Sequence, residues 1–540
     1  MGHYRMRFLF GEGQIDSSCL YCEGKEPGFI TQENMDGKLA IPELNSGMLP
    51  AYWSENYKLT HIKHDEHGCY TDGFDEAFIP LVFACDVASE GNYYVKVKVF
   101  AGCDIEDGLI FLGRRRLVAK LSLSTGEVYE ETFLVNVSPI IPRTYADPMA
   151  DTTIDVTIVG EGLHLSAVEI SEADVKTVYI AGDSTVTDQC TEYPYLPERS
   201  YGGWGQMLSA YLKNQMAVSN HSHSGLTTES FVSEGHYQIL KERIKKDDIC
   251  LMQFGHNDQK LDSLKADEGY KDNLNKYIDE IKAKGAIPVI VTPLARNSWK
   301  GNDGSYNDLL SEYARVCIEV CENRDVALVD LHQKSMNFVQ SLGCEAAKKY
   351  FFPSDFTHSN DFGAYLFASY VYEDLVKQNL VTKTTYTEWI PPVSMREVKI
   401  PSECANRSNP NEVVLFENLE REDDLLTRVE AFEMAIVAAR FFPTNVYNDM
   451  FEDVIGHETY AGSVECAYQN GLIPSSLVED NKIFPERNIT GKQLWEILSL
   501  AYKSRRNDPL DEKKILGESF KFEDVITRKE AAEICRKLKI

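Results

Sequence analysis

The feature that most constrains the fold is a change in hydrophobic grammar near Val175. From there on, short continuous apolar runs alternate with amphipathic stretches. The runs are Val178 to Ala181, Ile249 to Phe254, Ile287 to Val291 and Val326 to Val329. Between two of them Tyr270, Leu274, Tyr277, Ile278 and Ile281 share one helical face, with Gly285 as a C-cap. Strands that are apolar along their whole length must be covered on both faces. The expectation is therefore an α/β domain, a central parallel sheet in three layers over residues 173–380. Ligands in such sheets bind beyond the carboxyl ends of the strands, and every chemical motif of this chain falls there.

The flanking regions read differently. In residues 1–172, Val95, Val97 and Val99 alternate with Lys96 and Lys98. Phe133, Val135 and Val137 alternate likewise, as do Ile154, Val156 and Ile158. Period-two patterning predicts strands with one buried and one wet face, as in an N-terminal all-β sandwich. Gly91-Asn92 and Thr125-Gly126 supply turns between them. Residues 381–424 read as a linker, with Pro391-Pro392, a Ser/Asn/Pro-rich stretch from Ser402 to Asn411 and an acidic run. Residues 425–540 read as a mostly helical domain with an internal repeat. Phe451-Glu452-Asp453-Val454 recurs as Phe522-Glu523-Asp524-Val525, and Thr427-Arg428-Val429-Glu430 as Thr527-Arg528-Lys529-Glu530. Each Thr with a Glu three residues on is a helix-start capping box, which explains both residues without a ligand.

Composition narrows the partners. The 84 acidic against 55 basic residues give a formal charge of −29, which repels phosphate backbones and anionic lipid, so neither nucleic acid nor membrane is an expected partner. No apolar run approaches the roughly 18 to 20 residues of a membrane helix, and the start, Met1 to Phe10, lacks the long apolar core and cleavage site of a secretory signal. A cytoplasmic product is the expectation, in keeping with 13 scattered cysteines. Cys19-Leu20-Tyr21-Cys22 is a lone CxxC without a second pair, and His61, His64 and His67 lie in a charged stretch that reads as a solvated loop.

Four short motifs carry chemistry. The run ending at Ala181 enters Gly182-Asp183-Ser184-Thr185, which places a serine at a strand-to-helix turn, with the N–H groups of the following turn free for an anion. A turn serine capping a helix would look the same, and the context is not the G-x-S-x-G elbow. Gly225 follows a strand around Met216 to Ser219, and a glycine lets a backbone N–H approach a bound oxygen. Gly255-His256-Asn257-Asp258 offers an asparagine amide at the same edge; a third oxyanion donor is worth about 3–4 kcal/mol to a transition state. Finally, Asp355-Phe356-Thr357-His358 precedes a helix starting near Gly363-Ala364. Aspartate three residues before histidine can fix the tautomer that leaves Nε2 to take a serine proton.

The order GDS, Gly, GxND, DxxH over residues 174–378 resembles the block pattern of SGNH (GDSL) hydrolases, whose catalytic domain is a flavodoxin-like parallel sheet. Within them, Ala181 to Val186, Gly203-Trp204-Gly205-Gln206, Phe254 to Asp258, and Asp355 and His358 with Gly363-Ala364 resemble the rhamnogalacturonan acetylesterases. That group usually has arginine and serine after the block-two glycine; Leu226 and Thr227 stand here. The resemblance implies a carbohydrate O-acetylesterase acting on acetylated oligosaccharides. In it Ser184 is the nucleophile, His358 the base and acid, and Asp355 its orienting carboxylate. Ser184, Gly225 and Asn257 form the oxyanion hole, with no metal or organic cofactor. Trp204, His256 and Arg296 are candidate substrate contacts, and Tyr201 and Trp299 further candidates for the cleft. A lipid or thioester hydrolase on the same scaffold and a non-catalytic glycan-binding protein are the alternatives. The first region resembles the galactose-binding-like sandwich fused to bacterial members of this group, and the tail resembles S-layer homology repeats, fewer than two of them complete. These flanks offer surfaces for a homo-oligomer.

Overall fold

The computed structural model describes residues 5–11, 15–31, 62–71, 80–142, 145–189, 195–300, 305–353, 355–394, 419, 421–439, 441, 443, 450–454, 460–506 and 509–538. His61 and the stretch Ser402 to Asn411 lie outside them. Two compact units divide the chain. One holds Met1–Arg296, Asp308–Gly343 and His358–Met395; the other holds Asn297–Asn307, Cys344–Thr357 and Arg396–Ile540.

In the first unit, the apolar runs become five parallel strands in the spatial order Ala217–Asn220, Thr177–Gly182, Ile249–Gln253, Ile287–Val291 and Ala327–Val329. All but the edge strand Ala327–Val329 are buried along nearly their whole length, as continuous apolar runs require, the other edge Ala217–Asn220 included. Residues Tyr270 to Ile281 lie in the helix Lys271–Ala283 and the turn before it, with those five side chains buried. Gly285 takes φ +75° just past its end, the left-handed conformation that glycine adopts at a helix C-terminus. The chain order of the strands reverses between Thr177–Gly182 and Ile249–Gln253. That reversal opens a crevice at their carboxyl ends.

The same unit contains two antiparallel sheets built from residues 5–172. One holds Arg5–Leu9, Ile62–Asp65, Gly68–Thr71, Leu163–Glu172, Gly91–Ala101 and Val128–Val137; the other holds Gly28–Phe29, Leu81–Asp86, Thr153–Val159, Ile105–Leu112 and Arg116–Leu123. Val95, Val97 and Val99 join Phe83, Ile110, Val156 and Ile170 in one core between them. The expected wet face exists for Gly91–Ala101, where buried and half-buried residues alternate. It does not exist for Thr153–Val159, which is buried at every position. The segment around Tyr21 lies over its outer side, the Tyr21 hydroxyl donating to Asp86 Oδ1 at 2.8 Å and lying 3.5 Å from Thr153 Oγ1. Phe133 to Val137 are also buried throughout, because that strand packs on Ala217–Asn220 of the parallel sheet. Gly91-Asn92 is not a turn: both residues pair with Val137 and Asn136, and the turn precedes them. Thr125-Gly126 is one. The first part of the stretch read as a linker is packed, with Trp389 against Phe362 and the Tyr365 hydroxyl donating to Thr387 O at 2.9 Å.

The second unit contains the helices Arg428–Ala438, Ala461–Gln469, Gly491–Arg505, Glu512–Leu516 and Arg528–Leu538 around their own core. Two helix starts were visible as Thr-x-x-Glu; the structure adds a third, at Thr490 and Gln493. At Thr427 the N–H donates to Glu430 Oε2 at 2.9 Å, and at Thr490 to Gln493 Oε1 at 3.1 Å. The residues just before the three caps close a ring of backbone bonds: Leu426 N–H to Ile526 O, Ile526 N–H to Ile489 O, and Ile489 N–H to Leu426 O, at 2.9, 3.1 and 3.0 Å. The third copy escaped the sequence pattern because glutamine replaces glutamate and the Phe-x-Asp-Val signature does not precede it. Among the described residues no helix is long and apolar enough to cross a membrane.

The Thr490 hydroxyl accepts from Gln493 N–H at 3.4 Å. Thr490→Ala removes that bond and is expected to destabilise this unit by about 1 kcal/mol. A lowered urea midpoint by far-ultraviolet circular dichroism is the expected reading. An unchanged midpoint would show that the cap carries no stability.

Candidate active site

Ser184 follows strand Thr177–Gly182 at the crevice, half-buried. It does not begin a helix, as the sequence reading expected. The chain folds back on Asp183 instead: the N–H groups of Val186 and Thr187 donate to Asp183 O at 3.1 and 3.2 Å, and that of Thr185 to Asp183 Oδ1 at 2.9 Å. The N–H groups expected to be free for an anion are thus spent on the turn. Among the described residues, the backbone N–H groups of Ser184 and Gly225 donate to no protein acceptor. Gly225 is exposed at φ +87°, where a side chain would be strained though not crowded.

His358 comes from the loop before the helix Asp361–Lys377, which Asn360 caps by accepting from Gly363 N–H at 3.0 Å. Its Nε2 lies 2.7 Å from Ser184 Oγ. The Tyr201 ring meets the imidazole edge-on at 5.8 Å between centroids. Asp355 belongs to the other unit, where its Oδ1 accepts from Thr357 N–H at 2.8 Å.

The turn around Ser184 is gripped by backbone. A Cβ on Gly203 would stand 2.3 Å from both Val186 C and Thr187 O, and one on Gly205 2.6 Å from Val186 O. Only glycine permits that approach. Beneath it, Gln253 Nε2 donates to Thr185 Oγ1 at 2.6 Å, and its Oε1 accepts from Trp204 Nε1 at 2.8 Å. Asp183 Oδ2 lies 3.2 Å from His256 Nδ1, and His256 Nε2 2.9 Å from Leu294 O. Burial would raise the Asp183 carboxyl, but His256 and the bonds from Thr185 outweigh it and hold the group below its usual value. Burial likewise pulls the His256 imidazole down, against the opposing pull of Asp183.

Asn257 donates through Nδ2 to Leu226 O at 3.0 Å, and its Oδ1 accepts from Lys260 Nζ at 2.9 Å. Together the two bonds fix which end of the amide is oxygen and which is nitrogen. Leu226 is buried in the apolar cluster with Phe231 and Phe254. Thr227 exchanges bonds with Ser230 at 2.9 and 3.0 Å. The block-two departure therefore serves packing and a turn.

Two expected substrate contacts are corrected. Trp204 has no exposed surface and spends its indole N–H on Gln253, while His256 is 2% exposed with both ring nitrogens engaged. Arg296 is buried as well, at 3% exposure. Trp299 lies in the other unit, its Nε1 donating to Asn297 Oδ1 at 2.7 Å. Sequence reasoning missed Lys260, Gln189 and Arg115. Gln189 Nε2 donates to Ser184 O at 2.8 Å. Only the Arg114-Arg115-Arg116 run was a visible signal, and on a hairpin it looks like surface.

The GDSL-like lipase/acylhydrolase family pattern matches residues 180–364. A rhamnogalacturonan acetylesterase of Bacillus subtilis is 33% identical over 219 residues, covering 38% of this chain and 92% of that protein. A rhamnogalacturonan acetylesterase of Emericella nidulans is 24% identical over 221 residues, covering 36% of this chain and 82% of the other. A crystal structure of the Bacillus subtilis protein YXIM shares 21% identity at a TM-score of 0.37, covering 70% of this chain and 99% of its own.

Asp258 ties two loops of the site together. It accepts from Thr228 N–H at 2.8 Å, Thr228 Oγ1 at 2.6 Å and Gly255 N–H at 3.0 Å. Burial nevertheless pushes its carboxyl up to about 6 from 3.8. Between those two values the folded chain holds a proton that the unfolded chain has lost. Stability from this group is therefore greatest at the acid end and falls as pH rises through the window, by at most about 1.4 kcal/mol per pH unit. Asp258→Asn is expected to remove that part of the slope in unfolding free energies measured from pH 4 to 6; an unaltered slope would refute the assignment.

Proposed function

The chain belongs to the GDSL-like lipase/acylhydrolase family and is an esterase; on that premise we propose that it is a carbohydrate O-acetylesterase working through an acetyl-enzyme on Ser184. The observation that carries the reading is the 2.7 Å separation of Ser184 Oγ and His358 Nε2 at the carboxyl edge of the parallel sheet. In this reading Ser184 Oγ attacks the acetyl carbonyl while His358 Nε2 takes its proton, and Asp355 orients the imidazole. The negative oxygen of the tetrahedral intermediate is received by the N–H groups of Ser184 and Gly225 and by the second N–H of Asn257. Lys260, on the carbonyl end of that amide, holds its donor end toward the oxygen. His358 returns the proton to the departing sugar oxygen. Water then attacks the acetyl ester by the same route and releases acetate.

The acetyl specificity and the sugar rest on the relatives named as rhamnogalacturonan acetylesterases. Acetylated rhamnogalacturonan oligosaccharides are the first substrate to try, with acetylated xylan and mannan oligosaccharides beside them. We expect acetate release from at least one of the three, and a fall of about 1,000-fold or more in kcat for Ser184→Ala. A preference for butyryl or longer p-nitrophenyl esters would shift the reading to a lipid or thioester hydrolase. Full activity in Ser184→Ala would overturn the nucleophile.

A further inference from the structure

The two strands Ile105–Leu112 and Arg116–Leu123 of the N-terminal sheets are joined by a hairpin turn that enters the catalytic domain. At its tip Arg115 is 1% exposed and hydrogen-bonds to three separate segments of that domain. Nε donates to Gln189 O at 2.9 Å, and Nη1 to Asp361 Oδ2 at 2.6 Å. Nη2 donates to Tyr201 O and, at 3.3 Å, to Gln206 Oε1. Asp361 is itself fully buried and accepts a further bond from the Tyr195 hydroxyl at 2.7 Å.

Each segment that Arg115 holds leads to one of the two residues that meet at the crevice. Gln189 reaches back through Nε2 to the carbonyl of Ser184 at 2.8 Å. Asp361 opens the helix that follows His358, three residues on. The segment after Tyr201 is tied to the residue beside His358: Gly202 N–H donates to Ser359 O at 3.1 Å, and Ser359 Oγ to Gly202 O at 2.7 Å. One guanidinium thus bridges the serine loop and the histidine loop from behind. The flanking arginines secure the turn. Arg116 Nε donates to Asp188 Oδ2 at 3.0 Å and Nη1 to Val218 O at 2.5 Å, while Arg114 Nη2 reaches Asn220 O at 3.3 Å. Arg115 sits at φ +51°, a region that non-glycine residues rarely adopt. The turn accepts that conformation and turns the side chain inward.

The geometry points to Arg115 as a positioning residue for the Ser184–His358 pair, so that the N-terminal sheets are a structural part of the active site. This inference rests on the catalytic reading given above. A lysine could not reproduce it, because an ammonium is a point charge without the planar fork that spans several acceptors at once. The guanidinium touches neither substrate nor reacting atoms, so its loss should lower turnover and leave ground-state binding alone.

The test uses the full chain with p-nitrophenyl acetate and a fluorophosphonate that labels active-site serines. Arg115→Met is expected to keep the wild-type near-ultraviolet circular dichroism, to lose on the order of 100-fold in kcat and to hold KM within about twofold of wild type. Its Ser184 labelling should slow in proportion. In Arg115→Ala, added methylguanidine should restore part of the lost turnover, which a general loss of packing would not allow. If Arg115→Met does not fold, Arg115→Lys is read in the same way, since it keeps a charge opposite Asp361. A folded variant with wild-type kcat and labelling overturns the inference. So does a loss confined to KM, an absence of methylguanidine rescue, or failure of both the Met and Lys variants to fold. A wild-type protein that hydrolyses no ester and takes up no label would instead refute the Ser184–His358 reading itself.

Discussion

The contact between Ser184 Oγ and His358 Nε2 joins residues 174 positions apart in sequence. A side-chain hydrogen bond of that kind contributes about 1 kcal/mol net. That is less than the cost of ordering even one residue of either loop. The contact is therefore a result of the frame around it and cannot be its cause. The frame begins with the parallel sheet, whose connections leave the carboxyl ends at one edge. It is tightened where the chain at Gly203 and Gly205 lies backbone to backbone against Val186 and Thr187, closer than any Cβ allows. It is completed by buried side chains, Gln253 and Asp183 beneath the serine and Asp361 behind the histidine.

The parts of this frame that were legible in the sequence are those set by local periodicity. A strand buried on both faces is apolar throughout, so Thr177–Gly182, Ile249–Gln253 and Ile287–Val291 could be read to within a residue or two. Helix starts with a Thr and a Glu could be read too. Where a strand's environment comes from elsewhere in the chain, period two misled: Thr153–Val159 has outward polar residues that look wet and are covered. The third helix start at Thr490 was hidden for a smaller reason, since glutamine performs the capping role of glutamate.

Site residues divided along similar lines. Ser184 and His358, which the fold brings together, and the candidate oxyanion residues Gly225 and Asn257 stand in short motifs at strand ends. Trp204 and His256 carried no such signal for role. An indole or imidazole suits a sugar cleft and a protein core equally well, and only burial decides between them. Trp204 proved to be the donor that holds Gln253, and His256 the partner of Asp183. Both support the Ser184 turn from within. Arg115 was the least legible of all, because its partner Asp361 is 246 positions away and nothing local distinguishes it from a solvated hairpin residue.

That placement has an energetic logic. Burying a guanidinium and a carboxylate together costs several kcal/mol of hydration per ion, and a well-packed apolar pair of the same volume is often as stable or more so. Stability alone is therefore a poor reason for the Arg115–Asp361 pair, or for Asp188 between Arg114 and Arg116. What an apolar pair cannot supply is direction. Apolar contacts tolerate sliding and rotation, whereas a planar fork with acceptors on three segments fixes their relative positions. Removing one partner would leave the other charged and unpaired. Charge at this seam makes a misplaced arrangement expensive, which is a constraint suited to two loops whose side chains must meet at hydrogen-bonding distance.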